Sequence, residues 1–293
     1  MTDTSQQVDP SPGTLRQFAS LLFSRKRKFL AEGETVPHIA ARLAPRVVDP
    51  EHLKRYRELT CSSEGSQLPI AYPHILASSL HLTLLGSAEF PVSVLGAVHV
   101  RNDIVQHRAI DAGETLHLSA HVEGHRQAPR GQEFDLISEC ACDGEVVWSE
   151  VTTFLIRSPG AERPKRARAV DNAEVAPAAV TSCSFRAPNG LGRSYGWLAG
   201  DLNPIHLSDL SARLFGFKGA IAHGMWSLAR SASELQAVAG QPCRKLQISF
   251  RQPIVLPAWV TLHHWREGNQ LRFNVSDTQE KLTHLSGVFE PAG

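Results

Sequence analysis

Tyr195-Gly196-Trp197-Leu198-Ala199-Gly200-Asp201-Leu202-Asn203-Pro204-Ile205-His206 brings a carboxylate, a carboxamide and an imidazole within the short span Asp201 to His206. Gly200 allows a sharp turn before the acid. Pro204 fixes one φ angle and removes one backbone donor. Asn203, preceding a proline, is pushed out of the helical region. The stretch therefore reads as a loop of defined shape and not as the middle of a helix, with Asp201 and His206 pointing into one cavity from its two ends. A carboxylate and an imidazole sharing a water are the parts needed for acid–base chemistry near neutral pH. Asp-x-Asn-Pro is also ordinary turn chemistry. What tips the balance is the segment Gly219-Ala220-Ile221-Ala222-His223-Gly224-Met225. A second histidine beside a glycine, opening an apolar helix, suits stabilisation of a negative charge, because a helix N-terminus presents free N–H groups and a partial positive charge.

The remaining composition narrows the class. The chain has 293 residues, enough for two domains of ordinary size, and a formal net charge of +1 gives no reason to expect nucleic-acid binding. The five cysteines, Cys61, Cys140, Cys142, Cys183 and Cys243, are odd in number and scattered, which reads as reduced, cytoplasmic chemistry. Cys140 and Cys142 alternate in a strand-like run and should face one side of a sheet. No apolar run approaches the length of a membrane span, and Met1 to Pro12 is polar and expected to be disordered. Among the 14 histidines no cluster has metal-ligand spacing, so no metal is expected. His263 and His264 should face opposite sides of a strand. His99, His107, His117 and His121 read as surface or barrel-rim residues.

Along the chain, Leu15 to Phe23 has helical spacing, followed by a solvated basic cluster, Arg25 to Lys28. Asp49 caps a helix beginning at Pro50, and Tyr72 to Leu85 is a second, mostly apolar helix. Strand-like runs follow at 92–100, 104–110, 115–122, 134–142 and 146–156, punctuated by Gly113, Gly124, Gly131 and Gly144. Residues 158–178 are polar, basic and Pro/Gly-containing, a linker by composition. The second half repeats the order: a strand at 180–187, the loop quoted above, a short helix at 207–215, a long helix at 223–239, and runs at 245–254, 259–266, 270–276 and 282–289. His74 lies 149 positions before His223 (223 − 74), and Ile110 to Leu116 echoes Ile254 to Val260 at an offset of 144 (254 − 110). One fold used twice follows, each copy a helix wrapped by an antiparallel sheet, over residues 13–157 and 179–293. Only the second copy carries the acid–imidazole loop; His52, near the equivalent region of the first, lacks partners.

Gly200 to His206 completes a Gly-Asp-x-Asn-Pro-aliphatic-His motif, and Ile221 to Met225 an aliphatic-Ala-His-Gly-Met helix start. In both, the chain resembles the MaoC-like dehydratases, also called hydratase 2 or R-specific enoyl-CoA hydratases. The resemblance implies an α+β double hot-dog fold and reversible hydration of a trans-2-enoyl thioester to the (3R)-3-hydroxyacyl thioester. On that reading Asp201 and His206 hold the water, the Gly224 N–H receives the enolate oxygen, and Asn203 orients Asp201 or serves only the turn. His223 fixes the loop, Tyr195 covers the site or is plain core, and Ile221 and Ala222 line it. Ile75, Leu76, Leu80 and Leu84 of the first half shape an acyl tunnel or simply pack. The substrate would ride on coenzyme A or acyl carrier protein, with no further cofactor, in a monomer or homodimer without nucleic-acid or membrane partners. A hot-dog thioesterase and a non-catalytic acyl-thioester binding protein are the alternatives.

Overall fold

A computed structural model describes residues 6–8, 26–27, 29–30, 33–93, 97–157 and 180–293. The helix expected at 15–23 and the linker at 158–178 lie outside these residues, as do Arg25 and Lys28 of the basic cluster. Lys26 is not simply solvated: its amine donates to the carbonyls of Leu85 and Ser87 and sits over the Phe90 ring. Part of the supposedly disordered start is a strand, β1 (Gln6–Val8), parallel to β2.

The first half continues with β2 (Ile39–Leu43), α1 (Pro50–Thr60), α2 (Tyr72–Gly86), β3 (Val98–Gln106), β4 (His117–Ala128), β5 (Gly131–Cys142) and β6 (Glu145–Arg157). The second half comprises β7 (Thr181–Ala187), α3 (Leu191–Ala199), α4 (Pro204–Leu207), α5 (Asp209–Leu214), α6 (Gly224–Ala239), β8 (Cys243–Phe250), β9 (Ala258–Glu267), β10 (Gln270–Asp277) and β11 (Thr283–Pro291). All strands join one sheet in the order β1-β2-β4-β5-β6-β3-β8-β11-β10-β9-β7. The second half repeats the first in mirror order across an antiparallel β3–β8 seam, in which Asp103 faces Gln247. This is the double hot-dog. α2 packs on β2, β4 and β5, and α6 on β8 and β11.

Local chemistry explains the elements. Asp49 caps α1 by accepting from Glu51 N–H, and Pro50 occupies its first turn. α2 is apolar on most sides because it is enclosed: Tyr72, Ala77, Leu80 and Leu84 are at most 1% exposed. Removing a side chain such as Leu80 from water is worth about 1.5–3 kcal/mol. Cys140 and Cys142 both face the core.

Two strand expectations need correction. Of the runs at 92–100 and 104–110, residues 98–100 and 104–106 belong to one continuous strand, β3, and 107–110 are not strand. The polar Arg101-Asn102-Asp103 resembles a turn but is strand, because Arg101 pairs with Glu133, Asn102 with Glu150 and Thr152, and Asp103 with Gln247. Gly124 does not end β4 but lies inside it, at a register break between Glu123 and Arg126 with φ 67°.

Candidate active site

The quoted stretch is only partly loop. Tyr195 to Ala199 are the end of α3, Gly200 closes that helix at φ 70°, and His206 sits on the single turn α4. Between them Asn203 is extended, as its proline neighbour requires (φ −57°, ψ 125°). Its side chain caps α4 by accepting from Ile205 N–H, while its backbone N–H donates to Asp201 Oδ1 at 3.2 Å. Asn203 thus orients the acid through its backbone, and its carboxamide serves the turn.

The two motifs are clasped together. Ile221 N–H donates to Ile205 O (3.1 Å), and His206 Nδ1 donates to Ile221 O (2.8 Å). That second bond fixes the tautomer and leaves His206 Nε2 as a bare acceptor. His223, the N-cap of α6, donates from Nε2 to Asp201 O at 3.1 Å and stands 3.7 Å from Asp201 Oδ2. Its ring lies on that of His206, centroids 3.6 Å apart at 24°. Tyr195 is buried, its ring 5.1 Å from His223. Ile221 and Ala222 are each 7% exposed.

The approach of loop to helix depends on two glycines that sequence reasoning passed over. A Cβ at Gly192 would collide with the His206 carbonyl, and one at Gly196 would stand 2.7 Å from Asp201 O. Their spacing of four residues on α3, one helical face, was the available signal. Gly224 is the first residue of α6, where an N–H has no partner within the helix. A Cβ there would meet the Phe250 ring at 3.1 Å.

One carboxylate oxygen of Asp201 and one ring nitrogen each of His206 and His223 lie within 4.8 Å of one another. That is close to the roughly 4.5 Å between two groups bonded to one water. The Asp201 side chain is 46% exposed while that of His223 is only 4% exposed, so the acid opens to solvent and the imidazoles do not. Burial disfavours the Asp201 anion, but His223, His206 and the Asn203 N–H outweigh it and hold the acid below its ordinary pKa. Burial, then the neighbouring His223, pushes His206 down to about 3 against the pull of Asp201. Burial also lowers His223. At neutral pH the site holds an anionic acid and two neutral imidazoles.

Other groupings were not foreseen. Asp201–His206–His223, His74–His81–Glu150 and His38–His121–Glu123 each gather donor atoms close enough for a metal ion. His52 does have partners: Nδ1 meets Tyr72 Oη (2.8 Å) and Nε2 meets Leu198 O (2.9 Å). His99 is not a rim residue, its ring lying 5.4 Å from Phe154 and 4.7 Å from Phe250. Ile75, Leu80 and Leu84 are buried at 5%, 0% and 1% exposure, and Leu76 packs partly buried against the same core. Among the described residues no helix is long and apolar enough to cross a membrane.

Known proteins share both the sequence and the architecture. Residues 177–288 match the MaoC like domain. The 3-hydroxyacyl-thioester dehydratase X of Mycobacterium tuberculosis is 29% identical over 226 residues, 74% of this chain and 76% of that protein. The crystal structure of HtdX from the same organism superposes with a TM-score of 0.73 at 27% identity, covering 86% of this chain and 100% of that one. A MaoC-like dehydratase from Phytophthora capsici shares the fold at 17% identity, with a TM-score of 0.70 over 88% of this chain and 96% of the other. Residues 177–288 carry a MaoC like domain, and in its paired motifs and its doubled helix-and-sheet architecture the chain is similar to the MaoC-like dehydratases of double hot-dog type.

Proposed function

We propose that this chain catalyses reversible addition of water to a trans-2-enoyl thioester, giving the (3R)-3-hydroxyacyl thioester. The observation that carries the reading is the convergence of the Asp201 carboxylate and His206 beside the start of α6, with the Gly224 N–H unclaimed by its own helix. Asp201 and the bare Nε2 of His206 are both acceptors, so a water between them donates both protons and turns a lone pair outward. As that water attacks C3, one of the pair takes its proton, and that same group, now protonated, delivers a proton to C2, so the water adds across the double bond and the pair returns to its starting state. Negative charge grows on the thioester oxygen, where the Gly224 N–H receives it at the positive end of α6. His223 holds the Asp201 backbone and helps keep the acid ionised.

The reaction is redox-neutral and its charge is met by hydrogen-bond donors, so no resident cofactor enters this reading. The acyl group arrives on coenzyme A or acyl carrier protein. A cytoplasmic monomer or homodimer, without nucleic-acid or membrane partners, fits the composition. A thioesterase would need its water aimed at C1, and a plain binding protein would have no use for the acid–imidazole pair.

The test is loss of enoyl absorbance with crotonyl-CoA and trans-2-octenoyl-CoA. Wild type hydrates at least one, and Asp201→Asn and His206→Ala each lower kcat by about 10²–10⁴-fold. Release of free thiol by wild type instead would assign a thioesterase.

A further inference from the structure

Buried polar groups crowd the first half where a hot-dog needs only apolar packing. His74 Nδ1 lies 2.8 Å from both carboxylate oxygens of Glu150, itself 1% exposed. Asn102 donates to Glu150 Oε1 (2.8 Å) and to Thr152 Oγ1 (3.1 Å), and His81 Nε2 meets Ser138 Oγ (2.8 Å). The sheet registers identify the counterparts in the second half. With Asp103 opposite Gln247 at the seam, equivalent positions of β3 and β8 differ by 144 (247 − 103), so Asn102 corresponds to Leu246 and Ile104 to Ile248. Glu150 pairs with Ile104 and Thr152 with Asn102, whereas Gly287 pairs with Ile248 and Phe289 with Leu246. Asn102, Glu150 and Thr152 therefore stand where the catalytic half has Leu246, Gly287 and Phe289.

Two atoms of this polar group are left over. Asn102 Oδ1 and His99 Nε2 are buried without a hydrogen-bond partner among the described residues. Both are acceptors. The Asn102 amide must point its nitrogen at the Glu150 carboxylate, which only accepts, and burial holds the His99 imidazole neutral, so that in its Nδ1–H tautomer Nε2 accepts. The register break between His99 and Arg101 puts them on one face: His99 pairs with Phe154 and Asn102 with Thr152, two positions apart on β6. Buried acceptors without donors are costly, about 1–3 kcal/mol each.

This face continues into the active site. The His99 ring lies tilted against Phe250, and the Phe250 ring packs directly against Gly224, 3.1 Å from where a Cβ would stand. An acyl chain whose carbonyl rested on the Gly224 N–H and which ran along the Phe250 ring would be carried toward His99 and, on the same face of the sheet, Asn102.

Building on the hydratase reading, we propose that His99 and Asn102 form a specificity site for a hydroxyl group carried on the acyl chain, its proton donated to this pair of acceptors. A ketone or carboxylate brings no donor and is disfavoured there.

The experiment compares kcat/KM of wild type for trans-2-octenoyl-CoA with its 6-, 7- and 8-hydroxy forms, alongside crotonyl-CoA. One hydroxylated form is expected to be favoured over the parent by roughly tenfold or more, the worth of one buried hydrogen bond. His99→Phe and Asn102→Leu, the latter placing here the residue that the other half carries, bring that ratio to unity or below. Two variants guard against failure of either to fold, and the wild-type ratio requires neither. Hydration of the unsubstituted substrates with no preference for any hydroxylated form overturns the proposal, assigns the acceptors to a structural water, and leaves the hydratase reading standing. Turnover of none of the five overturns both.

Discussion

The two halves share a plan and differ in where they place their polarity. In the second half the chemistry sits at the edge of the core, on the α3–α4 loop and the start of α6, and the sheet positions equivalent to Asn102, Glu150 and Thr152 carry no polar side chain: Leu246, Gly287 and Phe289. In the first half the loop chemistry is missing and the sheet itself is polar, through Asn102, Glu150 and Thr152. The helices differ likewise. Buried serines of α6 satisfy themselves on their own backbone, Ser227 on His223 O and Ser231 on Ser227 O. The histidines of α2, His74 partly and His81 fully buried, reach across to the sheet, His74 to Glu150 and His81 to Ser138. Polar groups that serve only the fold bond locally, whereas those that reach across a core bind elements together and carry a large penalty if one partner is lost.

The contrast can be broken at the Gly224 N–H first. Proline is accommodated at the first position of a helix, and His223 before it is already extended (φ −64°, ψ 138°), the conformation a following proline demands. Gly224→Pro removes that N–H but also sets a Cβ 3.1 Å from the Phe250 ring, so Gly224→Ala, which adds the same Cβ and keeps the N–H, is its control: the proline variant should lose about 10²–10³-fold more in kcat than the alanine variant, read by the enoyl absorbance assay. The corresponding substitution in the first half, Ile75→Pro, falls inside α2 and should cost folding and not chemistry, about 3 kcal/mol or more in a urea melt.

Glu150 is the next lever. Burial opposes its ionisation, yet His74 and Asn102 bring its pKa below the ordinary carboxylate value. Removing the anion leaves His74 and Asn102 without their acceptor, and Glu150→Ala should destabilise the protein by about 3–5 kcal/mol in chemical denaturation.

Acid titration sharpens the same contrast. Burial first, with His74 adding to it, pushes His81 down to about 3 and His99 to about 4, while in the second half His206 falls to about 3. In the unfolded chain these imidazoles titrate near 6.5. Between that value and their native pKa values the unfolded state binds more protons, so stability is complete above pH 6.5 and falls as pH drops toward 4. Denaturation midpoints measured across this window should decline, and His81→Gln should flatten the decline. Ser231→Ala, at a serine that bonds only its own helix, should change stability by no more than about 1 kcal/mol.

Legibility in the sequence followed the range of the interactions. Asp49, Pro50, Pro73, Ser208 and Gly240 punctuate helices at or within a few residues of their ends, and α1, α2, α5 and α6 follow from them. The motif residues Asp201 and His206 are close in the chain, and the second motif, Ile221 to Gly224, follows soon enough to be clasped to them through Ile205, Ile221 and His223. His99 and His52 were misread because their neighbours are distant in sequence: Phe250 for the first, Leu198 for the second. Arg101-Asn102-Asp103 concealed a strand because each side chain finds a partner on another strand. Gly192 and Gly196 carry no chemistry of their own; their role exists only in the space that the catalytic loop fills.

The β3–β8 seam has an evolutionary consequence. In a dimer of identical repeats any substitution is inherited twice, so a buried glutamate beneath one helix would also appear beneath the catalytic one, where Gly287 has no room for it. Covalent fusion of the copies removes that constraint. Each half could then drift separately, one conserving the reaction and the other exploring what the reaction is performed upon.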